Sequence, residues 1–380
     1  MRDALSLIES TRASLEHHPT LRPGGRVLVA MSGGVDSSVV AALLHHLGFE
    51  AVGVSMHLFP KSADSGAAGR CCTLDDFQDA RRVAWEVGIP HYVSNYEHEF
   101  DKAVISPFVE AYLQGETPSP CILCNQHLKF GSLLHMCASM DAAVVATGHY
   151  ARIEHDEAGF HLRAGLDAGK DQSYFLFPMP PDVLARTLFP LGGMSKPEVR
   201  LLADHFGLHL GQKAESQEIC FVGDQHYTDI LAARTGQAPV LGDLRHVDGR
   251  LLGHHDGYWQ YTIGQRRGLG IAHAEPLYVV SVDPETNTVL VGEDRHLYSD
   301  RFAVRDLVRC RLCDLADVEG LKVKIRSRSA AVPCRVQATA EGLDVVLLEA
   351  QRAVAPGQAA VFYQEDEVLA GGWITRSGQK

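Results

Sequence analysis

The sequence predicts an α/β protein: an N-terminal parallel-sheet domain, a small central linker domain and a C-terminal β-barrel. Three observations predict it. From Arg26 to Thr147, apolar β-branched runs alternate with helical stretches, the rhythm of a parallel sheet covered by helices on both faces. A Gly-rich turn, Ser32–Ser37, follows the first of those runs and opens a helix. From Leu277 onward short strands recur between turn signals, as in a small barrel.

The elements follow in order. The first twenty residues read as an amphipathic helix, with Leu5, Leu7, Ile8 and Leu15 on one side. Arg26–Met31 is a buried strand, Ser38–Leu47 a helix stopped by Gly48, and Ala51–His57 a second strand. A loop over 61–70 leads to a helix at Asp75–Val87, ended by Gly88 and Pro90. His91–Val93 is a short strand, and Glu97–Leu113 is helical around Pro107. After the Pro-punctuated loop 115–120 come a helix, Asn125–Met140, and a buried strand, Ala143–Thr147. Arg152–Ala164 reads as a hairpin, and Pro181–Leu188 and Lys196–Phe206 as helices. The barrel strands are expected at Tyr278–Val282, Thr288–Val291, Val323–Ser327, Cys334–Ala338, Asp344–Leu348 and Ala359–Tyr363. The expected division is an extension over 1–22, a catalytic domain over 23–220, a linker domain over 221–276 and a barrel over 277–380.

Composition excludes several classes. With 46% hydrophobic and 22% charged residues the chain is neither disordered nor, lacking a long apolar run, membrane-spanning. The charges in its first twenty residues do not suit a signal peptide. Nine cysteines make an odd count in a chain too long to need disulfide staples, so a reducing cytoplasmic setting is expected. The net charge of −12 requires local basic patches for any nucleic-acid role. Lys322, Lys324, Arg326 and Arg328 alternate on an expected strand and would share one face, either a solvated barrel face or a phosphate contact. Gln265-Arg266-Arg267-Gly268, Lys129 and Lys170 add to it.

Ser32-Gly33-Gly34-Val35-Asp36-Ser37-Ser38 stands where a phosphate belongs. Glycines let the backbone approach the oxygens, and the helix start offers N–H groups and a favourable dipole. It is neither a Walker A loop nor G-x-G-x-x-G. SGGVDS resembles the pyrophosphate loop of the PP-loop ATPases, which split ATP into AMP and pyrophosphate and adenylate a carbonyl oxygen. Downstream, Thr117-Pro118-Ser119-Pro120-Cys121-Ile122-Leu123-Cys124-Asn125 sets two cysteines just before a helix, whose N-terminus lowers a thiol pKa. Cys220 stands in Glu215-Ser216-Gln217-Glu218-Ile219-Cys220-Phe221.

Together these stretches resemble the tRNA-specific 2-thiouridylases, the bacterial enzymes that thiolate the wobble uridine. The resemblance also covers Cys71-Cys72-Thr73 with Asp79-Ala80-Arg81, Gly88–Val93, Thr147–Tyr150, Gly169–Phe175 and Tyr261–Gly270, in order from about residue 26 to 375. It implies ATP-dependent 2-thiolation of U34: adenylation of the 2-carbonyl, then sulfur transfer from a cysteine persulfide, giving 2-thiouridine, AMP and pyrophosphate. ATP and Mg²⁺ are the implied cofactors, and tRNA and a sulfur-donor protein the implied partners of a monomer. By the same resemblance, Ala30, Met31, Ser32, Gly33, Gly34, Val35, Asp36, Ser37, Met56 and Gly148 match ATP-contacting positions. Cys124 matches the nucleophile and Cys220 the persulfide carrier, a pair expected to form a disulfide during turnover. Ser119, Pro120, Cys121, His149, Lys170, Asp171, Gln172, Arg326, Ser327 and Gln358 match tRNA-contacting positions.

Two departures open alternatives. Many members carry Asn-Pro-Asp where this chain has Ser119-Pro120-Cys121, so Cys121, Cys124 and Cys220 present three thiolates that suit a [4Fe–4S] cluster carrying a loose sulfide. The other reading is a persulfide enzyme in which Cys121 is a spectator. Ser327 replaces the family's aromatic residue beside Arg326, which puts that RNA contact in question. Cys310-x-x-Cys313 has zinc-ligand spacing but lies in the expected barrel, and Cys71, Cys72, Cys137 and Cys334 read as structural residues. Another PP-loop adenylating ligase would not need the paired cysteines. A non-catalytic RNA-binding module would not need an intact SGGVDS.

Overall fold

The computed structural model describes residues 2–16, 18–59, 74–210, 219–222, 226–236 and 240–375. The expected 61–70 loop, Cys71, Cys72 and Glu215–Glu218 lie outside them.

The first seven strands are β1 Arg26–Ala30, β2 Glu50–His57, β3 His91–Asn95, β4 Val144–Ala146, β5 Ala151–Asp156, β6 Gly159–Ala164 and β7 Thr187–Leu188. A five-stranded parallel sheet runs in the order β3-β2-β1-β4-β7. Side chains alternate across it. Leu28, Val52, Val54 and Val145 pack into one apolar core, and Val27, Val29, Ala51, Val144 and Ala146 into another. Both faces are therefore buried, which is why these strands read as continuous apolar runs. The chain leaves β1 toward β2 and β3 on one side and returns to β4 on the other. The crevice beyond the carboxyl ends of β1 and β4 is the place where ligands bind in such sheets.

Several local expectations are corrected. The helix after the Gly-rich turn is Val35–His46, so it begins inside the loop rather than at Ser38. Leu5 is exposed, while Leu7, Ile8, Thr11 and Leu15 form the buried face of the N-terminal helix Ala4–Glu16. Thr187–Leu188 extends the sheet instead of ending a helix; that helix is Pro181–Leu184. The helix expected from Asn125 begins at Pro120, so both cysteines of Cys121-x-x-Cys124 lie within it. It runs as Pro120–Leu123, a π-helical stretch Cys124–Ser132, and Leu133–Ser139.

The next strands are β8 Gly242–His246, β9 Leu251–His255, β10 Tyr278–Asp283 and β11 Thr288–Gly292. They form a separate four-stranded sheet in the order β10-β11-β8-β9. The strands at 278–292, expected in the barrel, thus belong to this central sheet. Val279, Val289 and Val291 bury their side chains against Leu244 there.

The C-terminal strands are β12 Tyr298–Arg309, β13 Lys322–Lys324, β14 Val332–Thr339, β15 Gly342–Arg352, β16 Ala359–Gln364 and β17 Glu367–Thr375. Their pairing order is β12-β15-β14-β13-β16-β17, and β17 pairs back onto β12, which closes a barrel. The hairpin β5–β6 adds to this same sheet through Glu367↔Arg163 and Val368↔Leu162. The barrel is thereby spliced to the segment that follows β4. His161, Arg163 and Arg152 meet Asp366 and Glu367 across the joint. The basic stripe is shorter than expected: β13 stops at Lys324, which leaves Arg326 and Arg328 in the following turn.

Among the described residues no helix is long and apolar enough to cross a membrane.

Candidate active site

Gly33 adopts φ +73°, and a Cβ there would stand 2.2 Å from the Asp76 carbonyl oxygen. Only glycine fits this left-handed position against a neighbouring helix. Gly34 is the N-cap of Val35–His46 and supplies no side-chain cap. Ser37 Oγ accepts from the Ser32 amide at 3.2 Å, and Ser38 Oγ donates to the Gly34 carbonyl at 2.8 Å. The serines thus hold the loop's own backbone in a tight turn over the helix start. Gly148, after β4, approaches so closely that a Cβ would lie 2.9 Å from Asp36 Cβ and from the Ser37 nitrogen.

A cleft of about 330 Å³ opens here, walled by Ala30–Ser32, Gly34–Ser37, Met56, Cys124, Lys129, Thr147–Tyr150, Lys170, Gln172 and Lys196. Nine of the ten expected ATP-contacting positions line it; the tenth, Gly33, shapes the turn beneath. Lys170, Gln172 and His149, expected on the RNA side, line the same cleft.

Asp36 is held from two sides. Lys196 Nζ donates to its carboxylate oxygens at 2.7 and 2.9 Å, and Tyr150 OH donates at 2.9 Å. Lys196 is 8% exposed and stands at the first turn of the helix Lys196–His205, whose capping box joins Ser195 and Glu198. The sequence reading missed Lys196 and Tyr150. Lys196 has no motif beside it and reaches the loop from 160 residues away.

Cys124 and Lys129 are five residues apart. In the π-helical stretch, i→i+5 bonding widens the turn, so residues at this spacing share a face, and both side chains reach the cleft. Lys129 Nζ lies 3.4 Å from His149 Nε2 and can only donate, so Nε2 accepts. His149 Nδ1–H then donates to Thr147 Oγ1 at 2.7 Å. Burial, reinforced by Lys129, holds the His149 pKa well below the usual imidazole range, so the ring is neutral.

The cysteines separate by environment. Cys124 is 9% exposed and Cys220 half-buried, and both pack on one apolar cluster. Phe221 anchors the second segment through edge contacts with Phe100 and Phe108. Cys121 is exposed and outside the cleft lining. Among the described residues no three His, Cys, Asp or Glu gather as a metal-holding group. Cys310 is buried, donates to the Phe177 carbonyl and has its pKa pushed up to about 12 by burial. Burial also raises Cys137 to about 11 and Cys334 to about 12.

The remaining expected RNA contacts do not line the cleft. The Asp171 carboxylate accepts from the Gly165 and Ser173 amides and from the Ser173 hydroxyl, each at 3.0 Å. Arg326 is half-buried and donates to the Ala353 carbonyl; burial first and Arg352 second lower its pKa. Ser119 precedes the helix start at Pro120 without a side-chain capping bond, and Gln358 reaches the neighbouring loop from the barrel.

A glycine–serine loop at the switch point of a parallel sheet, with a thiol in the same cleft, defines a nucleotide-binding α/β protein of the PP-loop type. Known proteins place it more closely. A family model described as tRNA methyl transferase HUP domain matches residues 25–224. Two others, a tRNA methyl transferase PRC-barrel domain and an aminomethyltransferase beta-barrel domain, match 228–293 and 300–374. The tRNA-specific 2-thiouridylase of Geobacter metallireducens is 50% identical, over 92% of this chain and 96% of its own. That of Solibacter usitatus is 48% identical, over 93% of this chain and 100% of its own. The chain belongs to the tRNA-specific 2-thiouridylase family. Among solved structures, the U34-tRNA thiolase NcsA from Methanococcus maripaludis shares 16% identity over 61% of this chain and 72% of that one. The TM-score of that match is 0.37.

Proposed function

We propose that this protein thiolates the 2-position of the tRNA wobble uridine at the expense of ATP. The observation that carries this is the placement of Cys124 in the same cleft as the Ser32–Ser37 loop. A carbonyl oxygen leaves poorly and AMP leaves well, so activation and sulfur attack must occur within reach of one carbon.

The uridine is extruded into the cleft, because its 2-carbonyl is inaccessible within a stacked loop. ATP lies with its phosphates at the uncapped start of Val35–His46, where the backbone and dipole favour negative charge. Lys196 and Lys170 supply positive charge to the departing pyrophosphate. Asp36 and Asp76 are the cleft carboxylates suited to Mg²⁺, which would neutralise phosphate charge. The carbonyl oxygen attacks the α-phosphorus and pyrophosphate departs. The terminal sulfur of a persulfide on Cys220 then attacks C2, and AMP leaves with its oxygen. The Cys124 thiolate attacks the Cys220 sulfur, which releases 2-thiouridine and forms a Cys124–Cys220 disulfide. An external dithiol reduces that disulfide, and a sulfur-donor protein recharges Cys220. Neutral His149, its ring nitrogens engaged by Lys129 and Thr147, walls the base without adding charge.

The test is thiolation of a tRNA transcript with ATP and a persulfide donor, followed for AMP and 2-thiouridine together. Equal amounts of both are expected. Pyrophosphate release without any tRNA-dependent 2-thiouridine would point instead to another adenylating ligase.

A further inference from the structure

Lys196 reaches Asp36 from the first turn of Lys196–His205, so the start of that helix decides where its ammonium stands. Arg2 grips that start on both sides of Lys196. Its Nη2 donates to the Gly193 carbonyl at 2.6 Å and to Glu198 Oε2 at 3.1 Å. Its Nε donates to Glu198 Oε1 at 3.1 Å, and its backbone amide donates to the same oxygen at 3.3 Å. Glu198 is 6% exposed and also accepts from the Ser195 amide at 2.8 Å and the Ser195 hydroxyl at 3.0 Å. The Arg2 fork thus spans the turn from Gly193 to Glu198 and completes the pairing of a buried carboxylate.

Arg2 is itself anchored. Directly after it, the Asp3 carboxylate accepts from the Ser6 amide at 2.8 Å and caps the helix Ala4–Glu16. Leu7, Ile8 and Leu15 of that helix share one apolar cluster with Val199, Leu202 and Ala203 of Lys196–His205 and with Val35 and Val39 of the phosphate-loop helix. Buried apolar surface fixes the extension in this cluster, and the Arg2 fork fixes the start of the helix that carries Lys196. The HUP-domain match begins at residue 25, so this support comes from chain outside it.

We propose that the N-terminal extension is a brace on the nucleotide cleft, in which Arg2 is a positioning residue that sets Lys196 against Asp36. Its effect on ATP rests on the reading of the cleft as an ATP site; the grip of Arg2 on the helix start does not. Losing the fork leaves the buried Glu198 carboxylate without its charged partner, and the first turn of the helix loosens around Lys196.

The test is an ATP titration of the full chain as wild type, Arg2→Gln, Lys196→Met and the double variant. Arg2→Gln should weaken ATP binding about fivefold and leave the tRNA dissociation constant within about twofold. On the Lys196→Met background the same change should alter ATP binding by less than about twofold, because its route to the loop is already cut. Equal losses on both backgrounds, or an unchanged isotherm for Arg2→Gln, would overturn the positioning role. Hydrogen exchange at the Ser195 amide, measured without nucleotide, should rise at least about tenfold in Arg2→Gln. Unchanged exchange there would overturn the brace even in a chain that binds no ATP, whereas a wild type that binds no ATP would overturn only the reading of the cleft.

Discussion

Lys196 Nζ bonds both carboxylate oxygens of Asp36, which ties the first turn of the Lys196–His205 helix to the phosphate loop. Replacing Lys196 with Met keeps the aliphatic stem but strands a part-buried carboxylate. The expected loss is about 1–3 kcal/mol of stability. A weakening of ATP binding by at least about tenfold should accompany it, because the cleft also loses a cation. A binding isotherm for ATP checks this. An unchanged isotherm would restrict Lys196 to holding the loop.

Gly33→Ala should be more damaging than Gly148→Ala. The first needs an L-residue at φ +73° and a methyl 2.2 Å from a backbone oxygen; the second puts a methyl 2.9 Å from Asp36 Cβ and the Ser37 nitrogen without a left-handed φ. Thermal unfolding should show a larger fall for Gly33→Ala, and both variants should lose nucleotide binding. Native ATP affinity in Gly148→Ala would mean the loop does not rely on that contact.

Thiol reactivity should follow burial. Iodoacetamide at neutral pH should label exposed Cys121 first and leave Cys137, Cys310 and Cys334 untouched until unfolding, since burial both hides them and raises their pKa. Peptide mass spectrometry reads the order directly. Early labelling of Cys310 would contradict the packing against Phe177.

His149 and His18 are held neutral, both chiefly by burial, with the His18 pKa lowered to about 4. Below pH 6.5 the unfolded chain binds protons that the folded one refuses, so their contribution to stability falls as pH drops through that value. Unfolding midpoints between pH 5 and 7 should flatten when His18 is replaced by Gln. An unaltered slope would remove His18 from the account.

Much of the parallel sheet was legible because strands buried on both faces leave an apolar run that few other structures share. SGGVDSS was legible for a different reason: its glycine and serine positions are demanded by the turn itself. Lys196 was not, since a lone lysine after Ser195 carries no local sign of the carboxylate it will meet. The assignment of strands 278–292 failed because alternation marks a strand without marking its sheet. Only tertiary pairing with β8 decides that Val289 and Val291 face Leu244. The π-helical stretch was invisible too, as periodicity alone does not separate Cys124–Ser132 from an α-helix.

The most direct measurement is a single turnover with persulfide-charged enzyme, tRNA and ATP, quenched with acid and mapped by mass spectrometry. A disulfide-linked peptide pair joining Cys124 and Cys220 should accumulate with 2-thiouridine, only when both ATP and tRNA are present. Formation of 2-thiouridine by Cys124→Ala at the wild-type rate, with no such pair in the wild type, would contradict the account.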